Sequence, residues 1–179
     1  AAGRCITLPS STTGGSKVAS FTTGAYARIR SQFGLPIGRF EGIQEPLAYI
    51  AAYTYIMDAG CEFTIAKIDA GEKPAIASAI MKYHATELSR KVAIHAMDIH
   101  GGKGICLGPN NYLGRGYQSA PIAITVEGAN ILTRNLIIFG QGVMRCHPYL
   151  YLEMQAASAS DKTQGLTEFD KTFSKHIGF

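Results

Sequence analysis

Between residues 43 and 68 the apolar side chains Ile43, Leu47, Ile50, Met57, Cys61, Ile65 and Ile68 recur at helical spacing, with Thr54 the one gap. Such a repeat lays a single stripe along a helix of about seven turns, and a helix with one apolar stripe is stable only when partner helices cover it. A second stripe, Ile76, Ile80, Leu88, Val92, Ala96 and Ile99, starts beside Pro74 and stops at Gly101-Gly102. His84 falls on it and is expected to be a satisfied core histidine. An earlier helix is predicted over about Ser16 to Gln32, leading through Gly34-Leu-Pro-Ile-Gly38, and a later one over about Ala129 to Met144, ended near His147-Pro148. Ile122 to Val126 is β-prone, but one short run makes no sheet. The expected fold is all-α: an up-and-down four-helix bundle with short trailing helices at Tyr149 to Ala157 and Phe169 to Ile177. Residues 1–158 form the expected bundle. Residues 159–179 are a trailing segment whose Phe169, Phe173 and Ile177, four apart, either cap the bundle or begin a further region.

With 46% hydrophobic and 17% charged residues, the 179-residue chain has the composition of one globular domain rather than of a disordered chain. No apolar stretch has the length of a membrane span. The first residues, Ala1-Ala-Gly-Arg-Cys, carry neither a signal-peptide pattern nor an initiator methionine, so the expectation is a soluble fragment of a longer chain. Cys5, Cys61, Cys106 and Cys146 form no C-x-x-C pair, which argues against a zinc site and a disulfide framework and makes a reducing cytoplasm the default. A net charge of +4 from dispersed lysines and arginines argues against nucleic acid and leaves a phosphate-bearing small molecule open.

Two features carry chemistry. Glu127 ends the apolar run Ala120-Pro-Ile-Ala-Ile-Thr-Val and has Ile122, Ile124, Val126, Ile131 and Leu132 as sequence neighbours. If those neighbours enclose it, desolvation makes it a stronger proton acceptor and a candidate general base; if not, it is a charge complementing the dipole of the next helix. Residues 101–118 hold neither helical nor strand period, and loops of that length are usually functional. Their Gly101-Gly-Lys-Gly104 follows a helix, whereas a phosphate loop follows a strand, so the glycines either admit a ligand close to the backbone or only turn the chain.

Three segments together resemble the C-terminal helical domain of the acyl-CoA dehydrogenases: Arg30-Ser-Gln-Phe33-Gly34, Asp98-Ile-His-Gly101-Gly102-Lys-Gly104 and Val126-Glu127-Gly128-Ala-Asn130-Ile-Leu-Thr-Arg134. The likeness runs over nearly the whole chain. It is most similar to the bacterial long-chain enzymes of fatty acid β-oxidation, through Ala120 to Pro148 above all. The resemblance implies a four-helix domain that packs against an N-terminal helical domain and a middle β-domain, with FAD between domains and its adenosine end reaching a neighbouring subunit of a homo-oligomer.

On that resemblance Glu127 matches the catalytic base that removes the α-proton of a fatty acyl-CoA thioester while the β-hydrogen leaves as hydride to the flavin, giving a trans-2-enoyl-CoA. Gly128 would leave room for the substrate, and the backbone N–H of Glu127 would help polarise the thioester carbonyl. Arg4 matches a substrate-side arginine of the first helix; the residue before it, where some members carry the base, is Gly3. Arg30 matches the arginine at the FAD pyrophosphate and Phe33 the aromatic beside adenine. The plainer readings are a last-turn arginine complementing a helix dipole and a phenylalanine core plug. Asp98, Gly101 and Gly102 match dinucleotide contacts, with helix termination as the plain reading of the glycines. Asp98 and Glu41 stand where the family often has glutamine, and Gln118 and Ser119 replace an Arg-Asp pair. The implied electron acceptor is an electron-transfer flavoprotein, and the isolated fragment is expected to be inactive. The alternatives are a non-catalytic assembly bundle and an acyl-CoA oxidase. No metal ligand set is expected.

Overall fold

The computed structural model describes residues 2–179, with side chains from Ile6 onward. The chain forms two compact units, one ending at Asn130 and the other Ile131–Phe179. The all-α expectation holds: among the described residues strand is confined to a hairpin of two-residue arms.

The first unit is built on three long helices, α1 (Ala2–Ile29), α2 (Glu41–Asp69) and α3 (Ala75–His100), each packed on the other two. After α1 come the hairpin strands β1 (Ser31–Gln32) and β2 (Leu35–Pro36) and a 3-10 turn, Ile37–Arg39. Two further helices follow α3: α4 (Gly102–Ile105) and α5 (Gly114–Thr125), the latter lying on α3 and touching α1. The core joins Ala19 and Ala27 of α1, Ile50 and Met57 of α2, and Val92, Ala96 and Ile99 of α3.

Helix α1 begins at Ala2, far before the predicted Ser16. Its buried positions, Pro9, Thr13, Ser16, Ala19, Thr23 and Ala27, do keep a helical period, but with small residues in place of large apolar ones. The Thr13 and Ser16 hydroxyls are satisfied locally or across the seam, Ser16 Oγ donating to Thr12 O at 2.9 Å and lying 3.3 Å from Ser89 Oγ, whereas the buried Thr23 Oγ1 has no hydrogen-bond partner among the described residues. Small side chains let helix backbones approach, and burial outweighs the weak helix propensity of Ser, Thr and Gly. The gap at Thr54 closes the same way, because Thr54 is buried and its Oγ1 donates to Ile50 O at 2.7 Å.

In α3 the core histidine expectation fails. His84 is exposed, and Lys82, two residues earlier, is fully buried with 0% exposure. The buried face of the first half of α3 is Ser78, Lys82, Ala85 and Thr86, which is out of phase with the apolar Ile76 and Ile80. The loop expectation for residues 101–118 also needs correction, since α4 lies inside it and α5 starts at Gly114 and runs on to Thr125 through most of the β-prone run. Asn111 sets this up: its Oδ1 accepts from Leu113 N at 3.0 Å and Gly114 N at 2.7 Å, an Asx turn that starts the helix.

Helical winding resumes at Asn130–Leu132 (α6), continues in π form over Thr133–Gln141 and ends in α7 (Gly142–Cys146), close to the predicted limits. Helices α8 (Leu150–Ala157) and α9 (Lys162–Ile177) follow. Helix α9 starts earlier than the predicted Phe169 because Asp161 caps it, accepting from Thr163 N at 2.9 Å and Gln164 N at 3.2 Å. Within this unit His176 Nδ1 lies 2.7 Å from Glu153 Oε1. No single helix among the described residues is long and apolar enough to cross a membrane.

Gly165 is where α9 meets α8. A Cβ there would stand 2.6 Å from the carbonyl oxygen of Ala156 and 3.0 Å from the Cβ of Ala159. Gly165→Ala should therefore force the two helices apart at a cost of about 1 to 3 kcal/mol. The expected outcome is faster amide hydrogen exchange across α8 and α9 with α1 to α3 unchanged.

Candidate active site

Glu127 occupies the turn between α5 and α6 with φ of +54°, and Gly128 follows at +92°. Two consecutive left-handed residues reverse the chain sharply, and a non-glycine residue in that region is held at an energetic cost. The turn starts where Val126 N donates to Ile122 O at 3.1 Å. On α1, the Oγ1 of Thr7 lies 3.5 Å from Glu127 Oε1, the outer limit of a hydrogen bond.

The far side of the turn is tied to α3. Lys82 Nζ donates to the carbonyl oxygen of Gly128 at 2.8 Å and to Asn130 Oδ1 at 2.6 Å. Asn130 Nδ2 in turn donates to Thr86 Oγ1 at 3.0 Å and Glu87 Oε1 at 2.8 Å, and Glu87 pairs with Arg90 at 3.2 Å. A buried ammonium must find acceptors, since its desolvation is otherwise uncompensated. Neither the periodicity nor the resemblance pointed to Lys82. The only signal in the sequence is a lysine placed four residues before Thr86 and five before Glu87.

The apolar sequence neighbours do not enclose Glu127. Ile122, Val126, Ile131 and Leu132 are 40% to 74% exposed, and Glu127 itself is exposed. This corrects the expectation that the run before it supplies a dry surrounding, because helical and turn geometry points sequence neighbours in different directions. The dipole reading is not favoured either: Glu127 stands three residues before α6 opens at Asn130, outside the first turn, where the effect is felt. A groove of about 490 Å³ does lie between α1, α3 and α5, lined by Leu8, Val92, Leu113 and Ile122 among others.

A second group of predicted residues gathers around the end of α1. Arg30 follows the last turn of α1 and shares an open hollow of about 530 Å³ with Tyr26, Ser31, Lys103 and Tyr112. Among the described residues neither Arg30 nor Lys103 has an ion-pair partner. Phe33 is no core plug. It is 93% exposed at the tip of the hairpin, with φ of +52°, followed by Gly34 at +78°. This is the paired left-handed geometry of a two-residue hairpin turn, and it usually selects Asn or Gly rather than a bulky aromatic. Phe33 and Glu127 are the non-glycine residues with positive φ among the described residues, and each precedes a positive-φ glycine.

Gly101 ends α3 at φ +54°, and Gly102 opens α4. His100, beside them, carries a role that the sequence did not reveal: it is 4% exposed, stacks on Tyr26 at 4.2 Å and joins α3 to the following loop. Its Nδ1 is 2.8 Å from Ala96 O and its Nε2 2.7 Å from the Tyr112 hydroxyl. A carbonyl only accepts, so Nδ1 bears the proton and Nε2 of the neutral ring accepts from Tyr112. Asp98 is exposed and lines a different hollow, with Ile94, Met97 and Tyr117, so it does not confront Arg30 there. Glu41 sits in the first turn of α2, where it complements the dipole. Arg4 falls outside the described side chains.

Residues 10–140 match the family profile of the acyl-CoA dehydrogenase C-terminal domain, and residues 144–179 that of the bacterial-type acyl-CoA dehydrogenase C-terminal region. Among curated proteins the chain is 35% identical over 121 residues to the NADH-dependent acryloyl-CoA reductase of Anaerotignum propionicum, covering 67% of this chain and 29% of that protein. It is 35% identical over 120 residues to the mitochondrial very long-chain specific acyl-CoA dehydrogenase of Mus musculus, covering 66% of this chain and 18% of that one. Among solved structures it superposes on an acyl-CoA dehydrogenase from Geobacillus kaustophilus with a TM-score of 0.71 at 25% identity, over 75% of this chain and 34% of that one. The chain thus spans about a third or less of the proteins it matches.

Burial pushes the His100 pKa below its ordinary 6.5, and the nearby Lys103 charge pushes the same way against the Ala96 hydrogen bond. A histidine held neutral by the fold contributes stability above pH 6.5 that is lost as pH falls toward its folded pKa. An NMR titration should give His100 a midpoint under 6.5. The stability advantage of the native chain over His100→Phe should shrink on acidification through that range.

Proposed function

Since the chain belongs to the acyl-CoA dehydrogenase family, as its C-terminal domain, we propose that it supplies the proton-abstracting half of a flavoenzyme that converts a fatty acyl-CoA into its trans-2-enoyl-CoA. One observation carries the reading: Glu127, the residue matching the family's base, is held left-handed ahead of Gly128 at a turn tied to α3. Strained backbone persists only where the surroundings over-determine it, and it gathers at working sites more than at plain connectors.

In this reading the Glu127 carboxylate accepts the α-proton, the Glu127 backbone N–H polarises the thioester carbonyl, and Gly128 leaves the space a side chain would fill. The chain leaves Glu127 open to solvent, so the dry surrounding that strengthens such a base comes from the acyl-CoA itself and from the other domains of the enzyme. Arg4 is proposed on the substrate side on the resemblance alone.

FAD is the cofactor of the family, and the donor set around Arg30 fits an anionic dinucleotide. Two cations without ion-pair partners among the described residues line one hollow and the hairpin presents Phe33 to solvent, while Gly101, on the hollow that it shares with Asp98, offers backbone without a side chain. Arg30 would hold the pyrophosphate, Phe33 would pack on the adenine, and Gly101 and Gly102 would lie against the dinucleotide, with Asp98 nearby. When bound, the flavin supplies the hydride acceptor. Electrons would pass to an electron-transfer flavoprotein, and a homo-oligomer would complete the cofactor site. Residues 159–179 are read as the start of a further C-terminal region, supported by the bacterial-type match over 144–179. A reductive direction is the second reading, favoured by the likeness to acryloyl-CoA reductase.

The test is Glu127→Gln in the flavin-loaded enzyme that contains this chain. Flavin content should be unchanged, while exchange of the substrate α-proton with deuterated solvent falls by about 10² to 10⁴-fold. Undiminished exchange rejects Glu127 as the base.

A further inference from the structure

We infer that Lys82 is the positioning residue of the base turn: its buried ammonium, together with Asn130, fixes the backbone that aims Glu127. The inference rests on the reading of Glu127 as the base, but the clamp itself stands on geometry alone.

The turn is tied to one face of α3 at two points. Lys82 holds the Gly128 carbonyl at 2.8 Å, which sets the peptide plane after the second left-handed residue. Asn130 is held by three groups spaced along that face, accepting from Lys82 at 2.6 Å and donating to Thr86 at 3.0 Å and Glu87 at 2.8 Å. Positions 82 and 86 are four apart and so project to the same side of the helix, and Glu87, one residue further round, reaches Asn130 with its longer side chain. On the other side, Val126 is bonded back to Ile122 of α5. Glu127 therefore lies between two anchors, and its φ of +54° is imposed by them rather than preferred by the residue.

The choice of lysine follows from the same geometry. Its four-carbon stem carries three N–H donors into a place with 0% exposure, where water cannot substitute for a lost donor. A methionine would keep much of the stem's volume and lose every donor, leaving the Gly128 carbonyl and the Asn130 amide oxygen without this partner. The turn would then relax toward ordinary φ, and the carboxylate would swing from its line of attack. A shift of about 1 Å at a reacting group can cost about 10²-fold in rate.

Lys82→Met in this 179-residue chain should raise amide hydrogen exchange over residues 126–131 by about tenfold or more while α1 and α2 keep their protection. In the flavin-loaded enzyme the same change should lower α-proton exchange by about 10 to 10²-fold, with flavin content and acyl-CoA affinity within about twofold of normal. A purely structural lysine would instead lower flavin content and affinity along with the rate. Asn130→Ala keeps Lys82 and its bond to Gly128 and should fall between the two. Wild-type amide exchange and wild-type chemistry in Asn130→Ala overturn the inference even where Lys82→Met does not fold. Loss of proton exchange in Glu127→Gln with none in Lys82→Met sinks the positioning role and leaves the base assignment standing. Retained exchange in Glu127→Gln removes the base assignment, and the amide measurement still decides whether the clamp exists.

Discussion

A lysine with no solvent exposure cannot be a neutral feature of a helical bundle. Taking an ammonium out of water costs several kcal/mol, about the stability of a small domain, unless oxygen acceptors are built around it. Lys82 is given the Gly128 carbonyl and the Asn130 amide, and the amide is itself held by Thr86 and Glu87. The need to satisfy one buried charge thus dictates where the chain must run after α5, and with it the backbone of Glu127.

The helices beneath this network come together by a different means. Helix α1 faces α2 and α3 with Thr13, Ser16, Ala19, Thr23 and Ala27; the Thr13 and Ser16 hydroxyls along that seam bond to a backbone carbonyl or across to Cys61 and Ser89, while Thr23 Oγ1 is buried without a hydrogen-bond partner among the described residues. Close approach of the backbones compensates for the small apolar area of each side chain. The result is a rigid platform for two strained turns. The hairpin turn at Phe33-Gly34 extends from the end of α1, and the Glu127-Gly128 turn hangs on α3.

The two turns share a design. In each, a residue that would ordinarily avoid positive φ is followed by a glycine that accepts it readily, and the side chain ahead of the glycine is presented outward. The residues that the resemblance assigns to base and adenine contact are those two. At the end of α1, Arg30, Lys103 and Tyr112 line one hollow, and Tyr112 is bonded to the buried His100 behind it. The apolar side chains on the same hollow, Phe21 at 79% and Ile29 at 80%, are exposed.

The amino-acid order by itself determined the helical class, the long helices α2 and α3, the stops at Gly101 and His147, and the family motifs, because hydrophobic period, glycine and proline act locally. It also marked Glu127, Arg30 and Phe33, since a motif is a string and strings are read without coordinates. Only the tertiary structure decided that a stripe of Ser, Thr and Ala is the buried face of α1, that His84 is outside and Lys82 inside, and that the apolar run before Glu127 does not shelter it. Those outcomes depend on which side of each helix meets a neighbour distant in sequence. A periodic pattern states that a face exists; contact with residues such as Gly128 and Asn130, more than forty positions from Lys82, settles which face is covered and which polar group can be satisfied there.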